Sequence, residues 1–158
     1  MENITTQLIN AARSGDIDGL KTMISPETDL NGRDEKGYTP LIIACYNNRL
    51  EAARLLIECG ADVNACDFGG NTALMGASFK GYGPIADLLI EKGADLDLQH
   101  GNGGTALMFA AMFGRNEIVK ILLENGANKD LVDVRGLSVY DLAAQQGNEE
   151  ALSLLEQS

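Results

Sequence analysis

The imidazole and thiol groups that could ligate a metal or act in nucleophilic catalysis belong to His100, Cys45, Cys59 and Cys66. The single histidine has no neighbouring cysteine or carboxylate at metal-ligand spacing, and the sequence assembles no Ser-His or Cys-His pair around it. An odd number of cysteines without metal-ligand spacing is typical of free thiols in a reducing compartment. The sequence therefore predicts no catalytic residue, no metal and no cofactor, and a protein that is not an enzyme.

One glycine-rich segment, Gly81-Tyr82-Gly83-Pro84-Ile85-Ala86, satisfies the loose G-x-G-x-x-A pattern of dinucleotide-binding sites. In those sites the pattern follows a β-strand and opens a helix. Here it joins two predicted helices, and the chain has no Gly-Lys-Ser or Gly-Lys-Thr of a phosphate-binding loop. We therefore expect no nucleotide site.

The composition excludes several classes of partner. The chain has 158 residues, of which 45% are hydrophobic and 22% charged, which is typical of a globular domain. Its net charge of -11 repels the phosphate backbone of nucleic acids and anionic membrane surfaces. No apolar stretch approaches the ~18 residues that a membrane-spanning helix needs. We expect a cytoplasmic protein that binds neither nucleic acid nor membranes.

A repeat of 33 residues organises the chain. Equivalent positions carry glycine, then threonine or serine, then alanine, and these rows are Gly37, Gly70, Gly103 and Gly136; Thr39, Thr72, Thr105 and Ser138; and Ala44, Ala77, Ala110 and Ala143. Such a period indicates an array of stacked units, each built as one small supersecondary element. One domain, 1–158, is predicted, with units at about 1–33, 34–66, 67–99, 100–132 and 133–158.

Each unit reads as two short antiparallel helices followed by a polar turn. In the second unit Thr39 suits the N-cap and Pro40 the first helical position. This helix should run to about residue 47 and stop at Asn48, where other units have glycine, because both residues tolerate positive φ. A second helix is predicted over 50–58, with Gly60 just beyond its end.

These residues resemble the ankyrin repeat. Its turn signature is met by Asp34, Gly37, Thr39, Pro40 and Leu41, and its unit ending by Gly60, Ala61, Asp62 and Asn64. The family usually has histidine after Thr-Pro-Leu, where it ties neighbouring turns together; this chain has Ile42, Met75, Met108 and Asp141. The resemblance implies an all-α solenoid of about five helix-turn-helix repeats joined by projecting β-turns.

The terminal units are expected to be caps, because a stacked array leaves its first and last faces without neighbours. The first unit lacks the turn motif and breaks the pattern at Ser25-Pro26-Glu27. In the last unit Glu156 occupies the position of Ile57, Ile90 and Leu123. We therefore expect residue 156 to face water.

By the same resemblance, a protein partner would be bound on the concave side, by turn tips and exposed positions of the first helices. The corresponding turn residues are Glu35, Lys36, Tyr38, Phe68, Asn71, Asn102, Val134, Arg135 and Leu137. The corresponding helix residues are Tyr46, Asn47, Phe79, Lys80, Met112 and Phe113. Large apolar groups recur in three successive units, and these rings could instead pack as contacts between repeats. Phe68, at a turn tip, fits that second interpretation less well.

The sequence therefore favours a monomeric, non-catalytic protein-protein interaction module. Two alternatives stay open at this point. One is a noncatalytic regulatory subunit of an enzyme complex, and the other is a secreted bacterial effector. The identity of the partner is not encoded in any motif of the chain.

Overall fold

The computed structural model describes residues 3–158. Within this range the chain forms ten α-helices and no named strand. In order they are α1 (Ile4–Ser14), α2 (Ile17–Met23), α3 (Pro40–Tyr46), α4 (Leu50–Glu58), α5 (Ala73–Lys80), α6 (Gly83–Glu91), α7 (Ala106–Met112), α8 (Asn116–Glu124), α9 (Val139–Gln145) and α10 (Glu149–Gln157). The predicted all-α class is confirmed, and the predicted helices of the second unit agree with α3 and α4.

Capping residues fix where the first helix of a unit begins. Thr39 accepts a hydrogen bond from the backbone N–H of Ile42 at 3.2 Å, which satisfies one of the free donors at the helix start. Thr72, Thr105 and Ser138 cap α5, α7 and α9 in the same way. At the other end of α3, Asn48 has a φ of 60°, the one positive φ of a non-glycine residue in the described range. The prediction that Asn48 replaces the glycine of other units is confirmed.

Alanine allows the first helices to pack closely. Ala44, Ala77, Ala110 and Ala143 are each 0% exposed. Contacts between neighbouring first helices, from α1 through α9, are more extensive than those between neighbouring second helices from α2 to α8. Closer packing on the side of the first helices is expected to curve the stack, with the first helices and their turns on its concave side.

Leucine fills the space between the first and second helices. One row, Leu56, Leu89, Leu122 and Leu155, lies in α4, α6, α8 and α10 and is fully buried. The apolar positions that follow in the chain, Ile57, Ile90 and Leu123, are half-buried, and Glu156 is exposed as expected. Ala144 is likewise exposed where the preceding units bury Cys45, Ser78 and Ala111. These exposures support the expectation that the last unit acts as a cap.

At the ends of the first helices, polar side chains cross three of the four junctions between units. The Arg49 guanidinium donates from Nε to the carbonyl of Arg13 at 2.9 Å, and Arg115 does the same to Phe79 at 3.0 Å. Asn148 Nδ2 donates to the carbonyl of Ala111 at 2.9 Å. Each bond satisfies a carbonyl near the end of a preceding first helix, which would otherwise lack an intrahelical partner. Across residues 3–158, no helix has the length and apolarity needed to cross a bilayer.

Candidate partner-binding surface

In each turn between units, one side chain accepts hydrogen bonds from backbone N–H groups of the same turn. Asp34 Oδ1 accepts from the backbone N–H groups of Lys36 and Tyr38, both at 2.9 Å. Asp67 and Asp133 accept equivalent pairs of backbone N–H groups in their own turns. In the remaining turn the Nδ1 of His100 accepts from the N–H of Gly104 at 2.9 Å. The lone histidine therefore serves as a turn residue.

Backbone hydrogen bonds join neighbouring turns into a ladder. The N–H of Phe68 donates to the carbonyl of Lys36 at 3.4 Å, that of Gly101 to Gly69 at 2.9 Å, and that of Val134 to Asn102 at 3.0 Å. These bonds connect all four turns without the histidine that the resembled family usually provides. The positions that would carry it hold Ile42, Met75 and Met108, which are buried, and Asp141, which is exposed. The turn tips are therefore held at fixed spacing.

Aromatic rings form a continuous row along the ends of the first helices. The rings of Tyr46 and Phe79 are stacked with centroids 6.5 Å apart, and those of Phe79 and Phe113 meet edge to face at 4.6 Å. The ammonium of Lys80 lies 4.7 Å from the centroid of the Tyr46 ring, in cation–π geometry. Tyr46 and Phe113 nevertheless remain 44% exposed. The rings thus pack between units and also present apolar surface to solvent.

Two apolar side chains project further, at the turn tips. Phe68 is 71% exposed and Val134 is 70% exposed. The Phe68 ring lies over the preceding turn at Gly37, where an added Cβ would come within 2.8 Å of the ring. Gly37 also has a φ of 86°, so this close approach requires glycine.

Two cavities lie beside the aromatic row. The first, of about 330 Å³, is lined by Tyr38, Ile42, Ile43, Tyr46, Asp67, Asn71, Thr72, Ala73, Met75, Gly76, Phe79 and Phe109. The second, of about 450 Å³, is lined by His100, Asn102, Gly104, Met108, Phe109, Met112, Asp133, Val134, Arg135 and Leu142. Phe109 separates them, since it lines both. Sequence reasoning missed Gly76 and Phe109. The one signal that could have found them is the 33-residue spacing, which places them in a row with Ile43 and Leu142.

All the sequence-predicted surface residues have solvent-accessible area in the structure. The exposed ones are Glu35, Lys36, Tyr46, Phe68, Asn102, Phe113, Val134 and Arg135. The half-buried ones are Tyr38, Asn47, Asn71, Phe79, Lys80, Met112 and Leu137. Phe113, the C-cap of α7, contacts Phe79 although it stands one position beyond Met112, the repeat equivalent of Phe79.

The cysteines differ in environment. Burial raises the pKa of the Cys45 thiol to about 12, so this thiol stays protonated and unreactive. Cys59 is exposed, whereas Cys66 is half-buried. Its backbone pairs with that of Thr72 and its carbonyl accepts from Arg33 at 3.1 Å, which draws this segment against the unit. Among the described residues, no group of three His, Cys, Asp or Glu side chains could hold a metal ion.

Among the described residues, the Asp133 carboxylate has a displaced pKa. Burial of the Asp133 carboxylate acts to raise its pKa, but the N–H groups of Leu137 and Arg135 and the Arg135 guanidinium hydrogen-bond to it and hold the pKa below its ordinary value. The guanidinium Nη2 lies 2.9 Å from Oδ2. The charge of Asp133 is therefore stabilised by groups of its own turn.

Comparison with known families agrees with this architecture. A model described as ankyrin repeats (3 copies) matches residues 8–100, and one described as ankyrin repeats (many copies) matches residues 89–143. The chain belongs to the ankyrin repeat family. Ankyrin repeats are generally protein-protein interaction modules, and proteins of the family are typically non-catalytic. A search of the curated proteins finds no match to this chain.

Proposed function

We propose that this protein binds a protein partner through the concave surface formed by the turn tips and the aromatic row. The observation that carries the proposal is the exposure of large apolar groups there: Phe68 is 71% exposed, and Tyr46 and Phe113 are 44% exposed. Aromatic side chains bury much area at little conformational cost, and they dominate the energetics of many interfaces.

Fixed spacing of the turns supports the same proposal. A partner that binds loose turns must order them, and this ordering lowers the affinity. Here the ladder of backbone hydrogen bonds and the acceptors Asp34, Asp67, His100 and Asp133 hold the turns before any partner arrives. The turn tips are therefore preorganised for binding.

The proposal also covers the oligomeric state, the absence of catalysis and the cellular compartment. The protein acts as a monomer without catalysis of its own, and it works in the cytoplasm. Its cysteines are unpaired, which fits a reducing compartment. Its charge of -11 favours a protein partner over nucleic acid or an anionic membrane.

The test changes Phe68, Phe79 and Phe113 to alanine in one variant. We expect affinity capture from the native organism, read by mass spectrometry, to lose the main partner. A helical circular dichroism spectrum and a melting temperature within a few degrees of the wild type would show that the fold is kept. The variants Phe68→Ala and Phe113→Ala, each made alone, protect the test if the triple change unfolds the chain.

Charge reversal of Glu91 and Glu124 is the control. Both lie at the ends of second helices, away from the concave side, and both are exposed. Such charges act mainly on association rate and salt dependence. Full retention of the partner by the folded aromatic variants would refute the proposed surface and would direct attention to the convex side.

A further inference from the structure

One position on the concave side breaks the pattern of the chain's own repeats. In the second, fourth and fifth units the residues equivalent to Gly76 are Ile43, Phe109 and Leu142, which are large and apolar, and in the first unit the equivalent is Asn10. Gly76 lies in the middle of α5, where glycine is a poor helix former. Its φ is outside the positive region, so the backbone there does not require glycine. The conformation of the chain therefore leaves this glycine unexplained.

The missing side chain opens a pocket. Gly76 lines the cavity of about 330 Å³ together with Ile43 from α3, Phe109 from α7 and the rings of Tyr46 and Phe79. A Cβ at position 76 would lie 3.3 Å from the Cδ1 of Tyr46, so a larger residue there must displace the exposed Tyr46 ring at the rim of the pocket. An apolar cavity of about 150 Å³ can hold a benzene ring, so this space is large enough for one leucine, methionine or phenylalanine side chain of another molecule.

One end of the pocket carries a negative charge. Among the described residues that line this pocket, Asp67 is the one with a charged side chain. Its Oδ1 accepts two backbone N–H groups, whereas Oδ2 receives the Asn71 amide at 3.3 Å. An ionised carboxylate can accept more bonds than these, so Oδ2 can take a further donor. A cation on the occupant is favoured at this end, in keeping with the charge of -11 on the whole chain.

The opposite end of the pocket continues into the aromatic row. Tyr46 and Phe79 belong to both, and Phe79 contacts Phe113. The ammonium of Lys80 lies over the Tyr46 ring at this end, which disfavours a second cation there. The charges therefore orient an occupant, with its basic group towards the turn at Asp67. A chain segment, unlike a small free molecule, can fill the pocket and cover the row at the same time.

We propose that the space above Gly76, here called the Gly76 pocket, receives one large apolar side chain of a protein partner, and that a lysine or arginine of the same segment pairs with Asp67. This inference rests on the proposed function, since it names the chemistry of the segment that the concave surface binds.

The experiment starts from a displayed library of random linear peptides, selected on the full-length protein. We expect the enriched sequences to share a large apolar residue with a lysine or arginine near it. A synthetic peptide of the enriched sequence is then the probe, and its affinity is measured by calorimetry. Replacing its apolar residue by alanine should weaken binding about tenfold or more, as expected for one large side chain removed from water.

Two variants of the protein test the pocket itself. Gly76→Leu fills it with a side chain like those of the neighbouring units and displaces the exposed Tyr46 ring. We expect it to lower the affinity about tenfold or more while the circular dichroism spectrum stays helical. Asp67→Asn keeps an oxygen that can accept the turn hydrogen bonds but removes the charge. We expect it to weaken binding and to reduce its salt dependence. Gly83→Ala, at the start of α6 and outside the pocket, is the matched control and should bind normally.

Several results would overturn the inference. These are a library without enrichment, enriched peptides without a shared apolar residue, or equal binding to the wild type and to a folded Gly76→Leu variant. If binding survives Gly76→Leu but is lost in Phe68→Ala or Phe113→Ala, the pocket is excluded and the concave surface stands. If binding survives all three changes, the proposed function fails as well.

Discussion

Truncation of Leu89 tests the packing of the array most directly. Leu89 is 0% exposed, and its helix α6 contacts α4 on one side and α8 on the other. Leu89→Ala removes the apolar atoms beyond Cβ, and helices held on both sides can collapse little into the space. Leucine-to-alanine changes in cores cost about 2 to 5 kcal/mol, and limited collapse places this one at about 3 to 4 kcal/mol.

Thermal unfolding followed by circular dichroism measures this loss. For a chain of this length each kcal/mol corresponds to a shift of about 2 to 4 °C, so we expect the melting temperature to fall by about 10 °C. Urea unfolding should give the same loss of free energy with an unchanged slope. The matched control is Cys59→Ser at the exposed end of α4, which should change stability by no more than about 0.5 kcal/mol. If Leu89→Ala lowers the melting temperature no more than Cys59→Ser does, the assignment of the buried face of the second helices is wrong.

Three further predictions follow from the caps, the thiols and the turns. Deletion of residues 133–158 removes α9 and α10 and uncovers α7 and α8. Size-exclusion chromatography should then show aggregation, or calorimetry a clearly lower melting temperature. A truncated protein that stays monomeric and melts like the full chain would refute the assignment of the last unit as a cap. Under native, mildly alkaline conditions a thiol reagent should modify Cys59 and Cys66 but not Cys45, whose pKa is raised to about 12, and should reach all three after denaturation. Because the pKa of Asp133 is lowered in the fold, its charged form stabilises the protein above the ordinary aspartate pKa of about 4, and this contribution is lost as pH falls through the lowered value. Urea unfolding should therefore find Asp133→Asn less stable than the wild type near neutral pH, with a difference that disappears in acid.

The fold could be predicted because each repeat position has one dominant physical constraint. Threonine or serine at the N-cap, alanine where first helices touch, and glycine or Asn48 at positive φ each point to the same local structure. The constraint recurs in successive units, so a weak signal at one position is repeated by its equivalents. Thr39 and Asn48 show this agreement, since both adopt the predicted conformations.

The surface was less predictable, because it depends on contacts between units that do not follow the repeat register. Phe113 meets Phe79 although Met112 is the repeat equivalent of Phe79. Phe113 is the C-cap of α7, at the repeat position that Asn47 and Lys80 hold in the preceding units. Cys66 is half-buried because its segment is drawn in by Arg33 from the preceding unit. Spacing in one chain shows which positions are equivalent, but not how neighbouring side chains divide the space between them.

The structure also shows that stable turns and the family's usual histidine are separable. Ile42, Met75 and Met108 stand in that position and are buried as apolar side chains. The linking role is carried instead by backbone hydrogen bonds between turns and by one side-chain acceptor within each turn. Only a substitution by proline removes a backbone N–H, so the turn tips can otherwise vary in side chain while their spacing is maintained. In this chain the equivalent tip positions carry Glu35, Phe68, Gly101 and Val134, which lets partner recognition depend on the side chains while the scaffold stays the same.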